Sequence, residues 1–237
     1  MAEFITAENL GDVVWEEYST DVMTGDRNKG MYLYYQLVGS MRKAERIDII
    51  VSFLMESGVK MLLKELDRAM TRGAKIRILT GNYLGITQPS ALYLIKHELG
   101  AHVDLRFYNE KGRSFHPKSY IFHYADRSDI YIGSSNISRS ALTSGIEWNY
   151  RFSSRKDPDN YKKFYDTFED LFENHSIVID DEELRRYAKT WHRPAAYKDL
   201  DHYDKTEEHE ETNVSFLFEP RGAQIEALCA LENSRAE

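Results

Sequence analysis

Cysteine, proline and long apolar runs are all scarce in this 237-residue chain, and each scarcity excludes a class of protein. There is one cysteine, Cys229, so no internal disulfide can form and a disulfide-stapled secreted scaffold is excluded. Five prolines are too few for a collagen-like or proline-rich extended chain. The longest apolar stretch, residues 47–54, already contains Asp48 and Ser52 and falls far short of the ~20 residues of a membrane span. Residues 1–17 lack both a basic and an apolar leader region, so the expectation is a soluble, cytoplasmic protein with no membrane partner.

What is present is enough apolar residue, 42% of the chain, for a buried core in one large domain or one domain with an appendage. The net charge of −8 argues against a nucleic-acid binder until it is located. Residues 199–211 hold seven carboxylates against Lys205 alone, which leaves −2 for everything else. Such a tract reads as a solvated linker; His202 and His209 within it match no metal-site spacing, and no metal is expected. The reading is a domain over 1–195, an acidic linker over 196–213 and a separate element over 214–237.

Hydrophobic periodicity sets the elements. Helices are predicted over 27–44, from an N-cap at Ser57 through Met70, and over 89–99 with a stop at Gly100. Strands rich in β-branched residues are predicted over 46–54, 75–80 and 102–108. Strand–helix–strand with short connections indicates an α/β layer with parallel strands. Three further strands, at 118–122, 130–132 and 146–152, follow without a full helix between each. An amphipathic helix over 159–173, with Tyr161, Phe164, Tyr165, Phe168, Leu171 and Phe172 on one stripe, and a last helix over 182–191 complete the domain.

The chemistry concentrates in residues 114–150. On a strand, His116 and Lys118 share one face, with Pro117 marking a strand start or edge. The strand at 130–132 ends in Gly133, Ser134, Ser135 and Asn136, small and polar groups suited to an anion pocket. Ser138 or Ser140 can cap a short helix whose N-terminus favours an anion. Glu147, placed on the next strand beside Trp148 and Asn149, can hold an imidazole in one tautomer. Lys111, Arg113, Arg127, Arg139 and Arg151 flank the motif and can neutralise phosphates, although scattered surface arginines are the simpler explanation.

In order and spacing, His116-x-Lys118, Gly133-Ser134-Ser135-Asn136 and Glu147 resemble the active-site signature of the phospholipase D superfamily, in its nuclease-like branch. The layout resembles that family over roughly residues 30–173. The resemblance implies an α/β fold with a mixed, largely parallel sheet flanked by helices. It also implies a phosphodiesterase that needs neither metal nor cofactor. One histidine attacks phosphorus to form a phosphohistidine, a second protonates the leaving oxygen, and lysine, asparagine and serine bind the non-bridging oxygens. The catalytic set is then His116, Lys118, Asn136, Glu147 and Ser134, with Gly133 and Ser135 at the phosphate and Lys111, Arg113 and Arg139 on DNA. One departure stands out: the family usually has an aspartate five residues after the lysine, where this chain has His123. Glu147 then takes over the orienting of the imidazole.

The sequence supplies one His-x-Lys motif where the mechanism needs two histidines, which points to a homodimer with a shared site. Phe218-Glu219-Pro220-Arg221-Gly222-Ala223-Gln224 and the residues to Leu228 are similar to the opening of a superfamily 2 helicase core, so a helicase module in the same chain is expected; a plain amphipathic helix is the alternative. No G-x-x-x-x-G-K-[ST] occurs. Two rivals to a DNA nuclease remain: a catalytically inactive dimeric DNA-binding or targeting module, and a phospholipid-headgroup enzyme, against which the lack of a basic amphipathic helix speaks.

Overall fold

The six-residue runs of β-branched and apolar side chains become the middle of one sheet. In the computed structural model, which describes residues 20–27, 31–110 and 112–194, β1 (Val22–Met23) and α1 (Leu33–Met41) come first. Then β2 (Arg46–Val51), α2 (Glu56–Thr71), β3 (Lys75–Thr80), α3 (Pro89–Leu99) and β4 (Val103–Tyr108) alternate as the sequence predicts. The second half runs β5 (Lys118–His123), β6 (Ser128–Gly133), α4 (Arg139–Thr143), β7 (Asn149–Ser153), α5 (Pro158–Asn174), β8 (Ser176–Val178) and α6 (Asp181–Thr190). The eight strands lie in the order β1-β7-β6-β5-β2-β3-β4-β8.

The sheet is mixed and flanked by helices, as expected, but its parallel part is smaller than the sequence suggests. Only β2–β3 and β3–β4 pair in parallel; the other five pairings are antiparallel. The reason is connection length. A parallel return needs a crossover of a dozen residues or more, whereas β5 reaches β6 through residues 124–127 alone and can only turn back.

One face of the sheet carries Ile47, Ile49, Ile78 and Tyr120, packed with Leu62 and Leu66 of α2 and Leu92 of α3. The other face, with Ile50, Leu79, Ile121 and Ile130, is covered by Phe168 and Phe172 of α5. Of the predicted aromatic stripe on α5 only these two are buried, and Phe164 is exposed. Helix ends follow local chemistry: Pro89 opens α3 and Gly100, at φ +59°, closes it. Asp157 and Asp180 cap α5 and α6 through their carboxylates. Ser57 is not the cap of α2. Helix α2 starts at Glu56, whose N–H donates to Gln88 Oε1, and the Ser57 hydroxyl accepts instead from the Arg139 N–H. Helix α1 is shorter than the predicted 27–44, because Tyr32 is extended before its first turn.

No helix among the described residues is long and apolar enough to cross a membrane. The expected acidic linker, the helicase-like segment and Lys111 lie outside the described residues.

Candidate active site

The C-terminal ends of the parallel strands and the start of β5 meet at one rim of the sheet, and the motif residues gather there. Lys118 opens β5, opposite Val51 at the end of β2. Phe115, two residues earlier, is buried against Tyr108 and lies so close to Gly81 that a Cβ there would strike its ring. That packing fixes the entry into β5 and leaves the next side chain, His116, at the surface.

Lys118 is buried, and its Nζ stands 2.8 Å from Nδ1 and 3.0 Å from Nε2 of His116. It also donates to Ser52 Oγ at 3.2 Å and to the His116 carbonyl at 3.1 Å. Partial desolvation by its neighbours and the adjacent ammonium both hold the His116 pKa below its ordinary value, which favours the neutral ring with a lone pair to offer. Burial also lowers the Lys118 pKa, partly opposed by Glu147.

Asn136 is buried beside this pair. Its Oδ1 accepts from the backbone N–H of Ser52 at 3.0 Å and of Phe53 at 3.3 Å. The amide nitrogen has no hydrogen-bond partner among the described residues, so an anion beside Lys118 would meet one more donor. Ser52, which sequence reasoning passed over, is the common anchor: its hydroxyl receives Lys118 and its N–H is held by Asn136. Its signal was a serine that, with Asp48, interrupts the mostly apolar run 47–54.

The rest of the Gly-Ser-Ser-Asn run is arranged differently from expectation. Gly133 is required because a Cβ would collide with the Trp148 carbonyl and Asn149. Ser135 is fully buried; its hydroxyl donates to the Ala141 carbonyl at 3.2 Å and accepts from Asn149 Nδ2 at 2.9 Å. Its side chain is therefore part of the packing and does not face the rim. Ser138, not Ser140, caps α4.

Glu147 lies in the loop before β7, not on a strand. The ladder stops at Asn149: the Trp148 carbonyl still accepts from the Ser134 N–H, but the Trp148 N–H donates to Ser134 Oγ. The Glu147 carboxylate accepts from the Ser134 hydroxyl. Among the described residues the polar and ring contacts of His116 go to Lys118 and Tyr83, not to Glu147. The expected orienting bond is absent from this single chain.

The flanking basic residues divide. Arg113 is exposed, 3.7 Å from Glu110. Arg151 is paired with Asp21 and Arg127 with Asp129. The Arg139 backbone is tied to Ser57 and its charge lies near Tyr34 of α1.

His123 ends β5, about 17 Å of strand away from the rim at ~3.4 Å per residue. There its Nε2 is 2.7 Å from Asp48 Oδ2 and its Nδ1 is 3.0 Å from Ser128 Oγ. Asp48, fully buried, also receives a bidentate pair from Arg77, which in turn bonds Glu169 of α5. Burial raises the Asp48 pKa, but the bonds from Arg77 and His123 outweigh it and hold the carboxyl below its usual range. The departure at position 123 thus removes nothing from the rim, and His123 cannot serve there as a second histidine.

A family model described as "Cardiolipin synthase, PLD-like domain" matches residues 37–176. Among solved structures, a phospholipase D family member, Nuc from Salmonella typhimurium, is similar at 17% identity and a TM-score of 0.51, covering 68% of this chain and 98% of that one. NucT from Helicobacter pylori matches at 13% identity and a TM-score of 0.53, covering 67% and 97%. A polyphosphate kinase from Porphyromonas gingivalis matches at 16% identity and 0.52, over 79% of this chain but 29% of its own. No curated protein matches the sequence.

Proposed function

The chain belongs to the phospholipase D-like family, and from that premise we propose that it is a phosphodiesterase, a nuclease acting on DNA, whose nucleophile is His116. The observation that carries this reading is the convergence of a neutral imidazole, a buried ammonium and an amide donor around Ser52. An imidazole nitrogen attacks phosphorus, an N–P bond forms, and the P–O bond to the leaving alcohol breaks. A second, protonated histidine gives its proton to that oxygen. Water then attacks phosphorus, losing a proton to the same histidine as the N–P bond breaks. Lys118 and Asn136 bind the non-bridging oxygens, where fixed donors act most strongly on developing charge. Ser134 and Glu147, bonded to each other at the rim, steady the loop that faces the phosphate.

We place the second histidine on a second copy of the chain. Val22 and Tyr150, paired at the sheet edge, and Ile146 and Trp148, on either side of Glu147 in sequence, are exposed large apolar side chains. A second copy seated on this edge of the sheet would bury them and bring the partner subunit's His116 to the rim. The rival of an inactive binding module drew on the departure at position 123, which lies at the other end of β5.

The proposed reaction needs no metal ion. Cleavage of a short DNA duplex and single strand in excess EDTA tests the whole reading. Wild type cleaves and His116→Ala does not; activity that disappears in EDTA and returns with magnesium overturns it.

A further inference from the structure

Between β3 and α3 the chain makes a loop whose shape is held from outside. Leu84 is exposed at φ +52°, the one non-glycine residue in the left-handed region among those described, and Gly85 follows at φ +73°. A conformation of that kind persists only where the surroundings determine it. The base is closed by Thr87, fully buried, whose hydroxyl donates to the Gly81 carbonyl at 2.5 Å and accepts from the Leu54 N–H. The tip is held by the end of the domain. Tyr187 of α6 places its hydroxyl 2.8 Å from Asn82 Oδ1 and 2.6 Å from the Thr87 carbonyl. Trp191 donates from Nε1 to the Gly85 carbonyl at 2.8 Å and packs with Ile86, Met55 and Phe53. Pro194 lies against Gly85.

What this loop carries toward the site is Tyr83. Its ring centroid is 4.4 Å from that of His116, with the planes tilted by 53°. His116 is otherwise exposed, with the Lys118 Nζ close to both of its ring nitrogens and Tyr83 as its one ring contact among the described residues. We infer that Tyr83 is a positioning residue that fixes the His116 imidazole for attack, and that α6 and Trp191 hold Tyr83 in place. This rests on His116 being the nucleophile. The reacting nitrogen must sit within a few tenths of an ångström of its line of attack, and a misplacement of 1 Å can cost about 10²-fold. The C-terminal segment 187–194 thereby acts on the site without touching substrate.

The test uses the full chain with Tyr83→Phe, Tyr83→Ala and Trp191→Phe. For hydrolysis of bis(p-nitrophenyl) phosphate, Tyr83→Ala should lose about 10- to 100-fold in kcat with little change in KM, while Tyr83→Phe, which keeps the ring, stays near wild type. Trp191→Phe keeps the packing but removes the bond to Gly85; it should lower kcat less, and its effect should vanish in the Tyr83→Ala background. An equal effect of Trp191→Phe in both backgrounds overturns the tether. NMR titration of the His116 ring supplies a readout that needs no turnover. The groups facing it are Tyr83 from the loop and Lys118 from β5, with Glu147 acting on Lys118 from the loop before β7. Removing the Tyr83 ring opens the imidazole to water, so its pKa should rise in Tyr83→Ala and not in Tyr83→Phe. If neither the titration nor kcat responds, the positioning role is wrong. If wild type has no phosphodiesterase activity but the titration shifts as stated, the functional reading fails and the contact stands. Should Tyr83→Ala not fold, Tyr83→Leu keeps the bulk without the aromatic face and carries the same expectation for kcat.

Discussion

Asn136 separates stability from catalysis in a pair of substitutions. Its Oδ1 accepts two backbone N–H groups, those of Ser52 at 3.0 Å and Phe53 at 3.3 Å, at the end of β2. Asn136→Ala strands both. A buried donor left unpaired costs about 1–3 kcal/mol; Ser52 is fully buried and Phe53 half-buried, so about 2–4 kcal/mol in all is the expected loss. For a domain of this size each kcal/mol lowers Tm by about 2–4 °C, and the drop should be on the order of 4–16 °C. Asn136→Asp keeps the acceptor and the shape but replaces the amide donor facing the phosphate with an anionic oxygen. Its Tm should stay close to wild type while diester hydrolysis falls by about 10²- to 10³-fold, the usual cost of one lost oxyanion donor. Circular dichroism melts and a chromogenic diester assay read the two effects. An Asn136→Ala melt matching wild type, or an active Asn136→Asp, would refute the reasoning at its structural or its chemical step respectively.

Other expectations follow from the same contacts. Lys118→Met removes the neighbouring cation, so the His116 pKa should rise toward its ordinary value in an NMR titration; an unchanged midpoint contradicts the account. His123→Ala takes one partner from buried Asp48 and should cost about 1–3 kcal/mol of stability while diester hydrolysis stays at the wild-type level. The Asp48 pKa is lowered on folding from an ordinary value of 3.8. Its ionised form therefore stabilises the fold above that value, and this contribution is lost as pH falls through the lower folded value. Asp48→Asn should remove that part of the acid dependence, and melts below pH ~4 check it. On the proposed shared-site dimer, coexpressing His116→Ala with wild type should give mixed dimers, each lacking one of the two histidines. Activity should fall as the square of the wild-type fraction, and a linear fall means independent sites.

Much of this was legible in the sequence, and the gaps have identifiable causes. Periodicity located β2, β3, α2 and α3 because each buries one continuous apolar face. The His-x-Lys motif marked the pair that meets, but not by strand alternation: β5 starts at Lys118, and His116, just before it, is met by the Lys118 ammonium. What periodicity cannot see is partner choice. Residues 146–152 alternate like a strand, yet the ladder stops at Asn149 and leaves Glu147 in a loop. Ser57 looks like a cap, but its hydroxyl is claimed by Arg139, 82 residues away. Ser135 reads as a pocket residue, and only the Ala141 carbonyl and the Asn149 amide show that it faces inward. Tyr83 carried no local signal, since its meaning depends on its contact with His116 and on the bonds from α6 to the neighbouring loop residues Asn82 and Thr87, which form only in the folded chain.

The central claim is that His116 forms a bond to phosphorus. Under single-turnover conditions with a short DNA diester, quenched in alkaline denaturant and digested, mass spectrometry of the His116 peptide reads that bond directly. The account predicts a transient His116 adduct carrying the phosphorylated fragment, rising and falling with the kinetics of cleavage and absent in His116→Ala. An adduct on another residue, or substrate consumed while the His116 peptide stays unmodified at every time, would contradict it.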